Sequence, residues 1–122
     1  MGAALLEPHR CYLKELEPLL PHIKGLAHIT GGGLPGNVPR VLPSGLAAVF
    51  DSRAWVVPPL FRLIQTQGNI DNEEMFKVFN MGIGMAIICA ADSIDKVTRA
   101  LPEAKPIGLV VQQTEKERVI IK

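Results

Sequence analysis

Residues 25–43 read GLAHITGGGLPGNVPRVLP. An apolar run ends in Thr30, three consecutive glycines follow at positions 31–33, and Asn37 and Arg40 come shortly after them. Glycine has no Cβ, so three in a row let the backbone adopt positive φ angles and lie close to a ligand or another segment. A strand that ends in such a turn before a helix leaves backbone N–H groups that suit an anion. The residues alone leave two interpretations open: a phosphate site, or a tight turn without a ligand.

Helical segments are expected on both sides of the glycines. Residues 7–23 carry apolar side chains at helical spacing and predict a helix broken near Pro18 or Pro21. A second helix is predicted over residues 58–66, which begin with Pro58-Pro59, and Gly68 is expected to be its stop signal. Three further segments complete the expectation: a short helical or irregular stretch at 34–42, a helix over 72–79 behind an Asp71/Glu74 capping box, and a helix capped by Asp92 or Ser93.

Strands are expected between these helices. Short strands are predicted at 26–30 and 46–51, and the apolar run at 80–90 has the composition of a buried central strand. Residues 107–112 and 118–121 are interpreted as a closing hairpin. This irregular alternation predicts an α+β fold, a layered α/β sandwich with a mixed sheet, formed as a single domain over residues 1–122.

Composition excludes several classes of function. The chain has 122 residues, 48% of them apolar and 20% charged, with a formal net charge of +1, as expected of a globular domain. There is no basic stripe interleaved with aromatic residues, so we expect no nucleic-acid partner. No apolar run is long enough for a bilayer and no signal-peptide core is present, so we expect no membrane partner and a cytoplasmic location. No His or Cys has metal-ligand spacing, so no metal site is expected.

Three motifs carry a resemblance to a known family. They are AHITGGGLPGNVPRVLP at 27–43, a segment from Trp55 that ends in QTQGN, and EEMFKVFNMGIGM at 73–85. In this order and spacing they resemble the C-terminal domain of the phosphoribosylformylglycinamidine cyclo-ligases, or aminoimidazole ribonucleotide synthetases. The resemblance continues through IGLVV at 107–111 and RVIIK at 118–122. After the glycines, Gly36 stands where the family usually has an acidic residue, so no carboxylate role is carried over to it.

The resemblance implies an activity and its partners. Enzymes of this family use ATP to close the imidazole ring of formylglycinamidine ribonucleotide, giving aminoimidazole ribonucleotide, ADP and phosphate. ATP and Mg²⁺ bind mainly to an N-terminal domain that this chain lacks, so no cofactor is expected in this chain alone. The chain is therefore expected to be inactive by itself, to need the missing domain as its partner, and to belong to a homo-oligomer.

The same resemblance implies the site residues, although it identifies no catalytic group. Substrate or phosphate binding is expected from seven residues: Arg10, Thr30, Gly31, Gly32, Gly33, Asn37 and Arg40. A supporting turn is expected from Asn80, Gly82 and Gly84. Structural alternatives stay open for these residues: an ion pair for Arg10, a salt bridge or a carbonyl clamp for Asn37 and Arg40, and a cap of the following turn for Thr30. The glycine triplet could form a bare turn, and the two later glycines could allow close passage of a strand.

A second class of function stays open on the residues. The chain could be a stand-alone, non-catalytic α+β module that binds small anions or another protein. Specific binding of the substrate nucleotide would favour the enzyme fragment, whereas binding of neither the nucleotide nor inorganic phosphate would leave only a structural remnant.

Overall fold

The structure is a computed structural model that describes residues 2–8 and 10–122. It contains short α-helices, 3₁₀ turns at Glu17–His22, Val38–Val41 and Ala91–Ser93, and short strands. The helices are α1 (Gly2–Leu5), α2 (Leu13–Leu16), α3 (Gly33–Asn37), α4 (Pro59–Gly68), α5 (Asn72–Val78) and α6 (Ile94–Ala100). The strands are β1 (Gly25–His28), β2 (Leu46–Phe50), β3 (Met85–Ile88), β4 (Gly108–Gln112) and β5 (Val119–Ile121).

The strands form two separate sheets. β1 and β3 pair antiparallel, and β2 lies between β4, its antiparallel partner, and β5, its parallel partner. The predicted α+β fold with a mixed sheet is confirmed. The predicted closing hairpin is wrong, because β4 and β5 pair with opposite edges of β2 and not with each other. β2 lies at the centre of its sheet, where Ala47, Ala48 and Phe50 are buried.

The 80–90 run does not form a central strand. β3 is shorter than predicted and has β1 as its one neighbour in the described sheets. Ala86 is the one residue of β3 that is buried. An apolar run cannot by itself distinguish a central strand from an edge strand that packs against other elements, because both have apolar sequences.

The predicted helices form with changed boundaries. In the predicted segment 7–23 the α-helix starts at Leu13, and it changes at Glu17 to a 3₁₀ turn that contains Pro18, whose ring removes a backbone donor. Gly68 is not the stop of α4: it is the last helical residue, and Asn69 takes the left-handed conformation at φ +51° that ends the helix. Asp71 caps α5 as predicted, since its carboxylate accepts a 2.8 Å bond from the N–H of Glu74.

The core lies beneath the glycine-containing segment. Its buried members include Ile29 and Leu34, which are 0% and 1% exposed and flank the glycines on both sides. Trp55 is buried beside them, donates its indole N–H to the Met81 carbonyl at 3.0 Å, and meets Phe76 edge to face. The residues on both sides of the glycines are therefore anchored in the hydrophobic core.

Candidate functional site

The glycine loop (residues 30–33) connects β1 to α3. Gly32 and Gly33 have φ angles of +95° and +60°, which only glycine adopts without strain. The N–H of Gly33 bonds to the Thr30 carbonyl at 3.0 Å, closing the turn. Within residues 2–8 and 10–122, no acceptor is bonded to the N–H of Gly31 or Gly32. Gly31 is exposed and Gly32 is partly exposed, so both donors belong to residues that solvent reaches.

Asn37 holds the glycine loop in shape. Its side chain is 4% exposed, and its amide nitrogen donates to the carbonyl oxygens of Gly33 at 2.7 Å and of Thr30 and Gly31 at 3.3 Å. Its amide oxygen accepts a 3.3 Å bond from the Thr30 hydroxyl. Asn37 was predicted to bind the substrate, but its amide nitrogen and its amide oxygen both bond to the glycine loop. The structure gives Asn37 the role of a brace that turns the loop carbonyls inward.

Gly33 is the point at which the loop packs against helix α5. A Cβ on Gly33 would overlap the carbonyl oxygen of Phe76 and lie 2.5 Å from that of Phe79. A Cβ on Gly31, in contrast, would have no atom within 4 Å. The two glycines therefore have different reasons to be glycine. Gly33 is required by packing, whereas nothing in the described chain requires Gly31.

The two predicted arginines have different environments. Arg40 is exposed, at the end of the 3₁₀ turn after α3, and no ion pair or hydrogen bond of its side chain occurs among the described residues. Arg10 forms ion pairs with Glu15 at 2.5 Å and with Glu103, and its guanidinium lies 5.1 Å from the centre of the Tyr12 ring. Glu103 and then Glu15 raise the pKa of Arg10 above its usual range.

The predicted supporting turn lies against the start of the glycine loop. The Asn80 side chain accepts a 2.9 Å bond from the N–H of Gly82, and Gly82 has a φ of +96°. A Cβ on Gly84 would overlap the Tyr12 hydroxyl, and the Gly84 carbonyl accepts a 3.0 Å bond from the N–H of Ile29. The turn at residues 80–84 therefore contacts Ile29, the residue that precedes the glycine loop.

An apolar cleft of about 890 Å³ lies beside this turn. Its walls include both described sheets and helix α6, and Arg10 and Gly84 lie on its border. In the part of the chain that the structure describes, no three His, Cys, Asp or Glu side chains are grouped so as to hold a metal ion. None of the helices described is long and apolar enough to cross a membrane.

One structural residue had no signal in the sequence. Arg118 precedes β5 and donates to the carbonyl oxygens of Pro39, Leu42, Pro43 and Leu46, at distances of 2.7–3.3 Å. It therefore secures the segment that joins α3 to β2. A lone arginine near the C-terminus has no sequence pattern that predicts such a role, since its acceptors are backbone atoms more than 70 residues away.

The family model and the curated relatives that match this chain agree with each other. Residues 1–121 match the family model described as AIR synthase related protein, C-terminal domain. A phosphoribosylformylglycinamidine cyclo-ligase of Enterococcus faecalis is 46% identical over 118 residues, covering 95% of this chain and 34% of the relative. The enzymes of that name from Bifidobacterium animalis and Burkholderia mallei are 42% and 50% identical, covering 98% and 85% of this chain. The chain spans about a third of the length of the curated relatives it matches.

Proposed function

This chain belongs to the AIR synthase related protein family, as its C-terminal domain, and on that basis we propose that it is the C-terminal part of a phosphoribosylformylglycinamidine cyclo-ligase. The complete enzyme would convert formylglycinamidine ribonucleotide to aminoimidazole ribonucleotide with ATP. The names of the relatives support this activity. We also propose that the complete protein is a cytoplasmic homo-oligomer, as the family resemblance implies.

The reaction needs activation followed by attack within one molecule. ATP, held with Mg²⁺ mainly by the part of the protein that precedes this chain, would supply the phosphoryl group that activates the formyl amide oxygen. The amidine nitrogen then attacks that carbon, and phosphate leaves as the ring closes. Holding the substrate in a closed conformation is the contribution expected of this chain, because positioning can supply much of the rate in such an intramolecular step.

The glycine loop is the proposed substrate-binding element. The observation that supports this most strongly is the pair of N–H groups on Gly31 and Gly32, which have no acceptor among the described residues. Asn37 keeps the neighbouring carbonyl oxygens turned inward, so the loop presents donors without competing acceptors. Such a surface suits the phosphate or another anionic group of the substrate.

The other predicted residues differ in how directly they would contact the substrate. Arg40 has an exposed guanidinium that can pair with a phosphate. Arg10 is engaged by two carboxylates, so its proposed role is to hold the N-terminal segment rather than to bind the substrate directly. Asn80, Gly82 and Gly84 support the loop from behind, through the bond between Gly84 and Ile29. Thr30 shares its hydroxyl with Asn37 and can also reach a ligand, since it is exposed.

The substitution Gly31→Ala tests the loop in a complete enzyme. The protein for this test is a chimera in which this chain replaces the matching C-terminal third of the E. faecalis relative. A methyl group at Gly31 meets no protein atom, so the fold is expected to be unchanged. It would, however, occupy the space of a bound anion. We expect KM for formylglycinamidine ribonucleotide to rise about 10-fold or more, with an unchanged melting temperature.

The matched control is Gly36→Ala. Gly36 also has open space around a Cβ and no positive φ, but it lies one helical turn away within α3. KM should stay the same in this variant. If the two variants change KM equally, or if neither does, the loop does not bind the substrate.

A further inference from the structure

The backbone of Arg118 is fixed to the centre of a sheet. Its carbonyl oxygen accepts a 2.8 Å bond from the N–H of Ala48, a buried residue of the central strand β2. β5 begins at the next residue, Val119, and pairs with β2 in parallel. The side chain of Arg118 therefore extends from a rigid position, and any segment that it binds is held relative to β2.

The guanidinium of Arg118 binds carbonyl oxygens on both sides of Arg40. On the N-terminal side it donates to the Pro39 carbonyl at 3.3 Å. On the C-terminal side it donates to the carbonyls of Leu42 and Pro43 at 3.1 and 2.7 Å. A fourth bond, of 3.2 Å, reaches the carbonyl of the first residue of β2. The segment that carries Arg40 is therefore bonded to one side chain at both of its ends.

These bonds fix geometry rather than neutralise charge. Arg118 is partly buried, and in the part of the chain that the structure describes no carboxylate forms an ion pair with it. Its four acceptors are neutral carbonyl groups. The planar guanidinium directs its N–H groups in a fixed fork, so several bonds together set both the position and the direction of the bound segment.

Arg40 lies within this segment and its own side chain is exposed. Val38 and Leu42, on either side of it, are 1% and 7% exposed, so core packing holds the inner face of the 3₁₀ turn. The helical path that carries Arg40 begins in the glycine loop and runs through α3. Asn37 fixes the loop end of this path, and Arg118 fixes the other end. The glycine loop and Arg40 can contact one substrate only while the path keeps its direction.

We infer that Arg118 is a positioning residue of the substrate site, which fixes the direction of Arg40 relative to the glycine loop so that Arg40 meets an anionic group of the bound substrate. The inference rests on the proposed function, which supplies the substrate. Arg118 acts through Arg40 and not by direct contact, because most of its own N–H groups already bond to carbonyl oxygens.

A double-substitution cycle in the chimera tests this inference. Isothermal titration calorimetry with formylglycinamidine ribonucleotide, in the absence of ATP, gives Kd for each protein. Arg40→Gln removes the proposed contact, so Kd should rise about 10-fold. Arg118→Gln keeps Arg40 but releases its segment, and a similar rise of about 10-fold is expected. The double variant should bind within about 2-fold of Arg40→Gln alone, because the two residues act as one unit.

Arg118→Lys separates positioning from charge. Lysine keeps the positive charge, but its ammonium group cannot reproduce the directions of the guanidinium fork. Kd should therefore rise nearly as much as in Arg118→Gln. Arg99→Gln is the matched control, because Arg99 is an exposed arginine in the last turn of α6 with no ion pair among the described residues, and its Kd should be unchanged. Each protein must unfold cooperatively above the temperature of the titration, and Arg118→Lys replaces Arg118→Gln in the cycle if the latter does not fold.

Three results would overturn the inference and leave the proposed function intact. The first is an unchanged Kd in folded Arg118→Gln or Arg118→Lys. The second is an unchanged Kd in Arg40→Gln, since there would be no contact to position. The third is a double variant in which the two effects multiply to about 100-fold, because the residues would then act independently. Failure of the proposed function is recognised separately, since the unsubstituted chimera would then not bind the nucleotide, and that result would overturn both.

Discussion

At the scale of single residues, the glycine loop combines two kinds of constraint. Gly32 and Gly33 need positive φ angles, and Gly33 also needs the absence of a Cβ beside the α5 carbonyl groups. Asn37 then connects the loop to α3 through three carbonyl oxygens. Packing and bracing thus account for Gly33 and Asn37, while Gly31 is left as the position best suited to report on a ligand.

Asn37 should be the most sensitive polar residue of the loop. Asn37→Ala removes the donor to three carbonyl oxygens in a buried site, so we expect a loss of about 2–3 kcal/mol in the free energy of unfolding. Asn37→Asp should cost more, because it places a carboxylate against the same carbonyl oxygens. Urea denaturation monitored by circular dichroism measures both. The control is Asn72→Ala, an exposed position at which about 0.5 kcal/mol or less is expected; equal losses at the two positions would contradict the bracing role.

Sequence reasoning at this scale found the loop but not the role of each residue. The glycine triplet and Asn37 could be singled out because a run of glycines and a nearby polar residue can be read directly from the sequence. Whether Asn37 faces a ligand or the loop depends on how α3 folds back, and that is set by packing against α5. The contacts of Arg118 with residues 39–46 were likewise beyond sequence patterns, because they join distant parts of the chain.

At the scale of elements, local signals succeeded where the stabilising contact is local. The cap of α5 joins Asp71 to Glu74, three residues apart, and it forms as expected. The predicted strand at 46–51 matches β2 within a residue. The predicted hairpin is wrong because its two strands are adjacent in sequence, yet β2 lies between them in the sheet. Strand order is a tertiary property that a sequence window does not contain.

Two helix starts provide a matched pair for measuring the value of a cap. Asp71→Ala should lower the free energy of unfolding by about 1 kcal/mol, because the N–H of Glu74 loses its acceptor. Ser93→Ala at the start of α6 should have little effect, because the Ser93 side chain makes no capping bond. Thermal or urea denaturation compares the two. A greater loss at Ser93 than at Asp71 would contradict the assignment of the caps.

The ion pair between Arg10 and Glu103 links the N-terminal segment to the loop after α6. It should make the stability of the fold depend on pH. Arg10, mainly through its hydrogen bond, holds the pKa of Glu103 below its usual range in the folded chain. A carboxylate with a lowered folded pKa stabilises the fold above its unfolded pKa of about 4.3, and this contribution is lost as the pH falls through the folded value.

Arg10→Gln should therefore raise the pKa of Glu103 toward its usual value, as read from an NMR titration of the side-chain carboxyl carbon. Arg53→Gln is the control, since Arg53 pairs with Asp51 and not with Glu103. An unchanged Glu103 pKa in the Arg10 variant would show that the pair does not form in solution.

At the scale of the whole molecule, the chain has the fold of a family domain, with its described strands in two separate sheets. Two sheets border one apolar cleft, and the exposed β4 carries Leu109 at 71% exposure, which is unusual for a leucine in a strand. The family resemblance was readable from three motifs. The residues that line the cleft could not be read in this way, because they come from segments that are far apart in the sequence.

The rate of aminoimidazole ribonucleotide formation by the chimera tests the central claim most directly. With formylglycinamidine ribonucleotide, ATP and Mg²⁺, we predict turnover that yields product, ADP and phosphate in equal amounts. Omission of ATP should abolish turnover, and so should removal of this chain from the chimera. A chimera that is folded, as judged by cooperative thermal unfolding, and yet forms no aminoimidazole ribonucleotide would contradict the assignment of this chain to a cyclo-ligase.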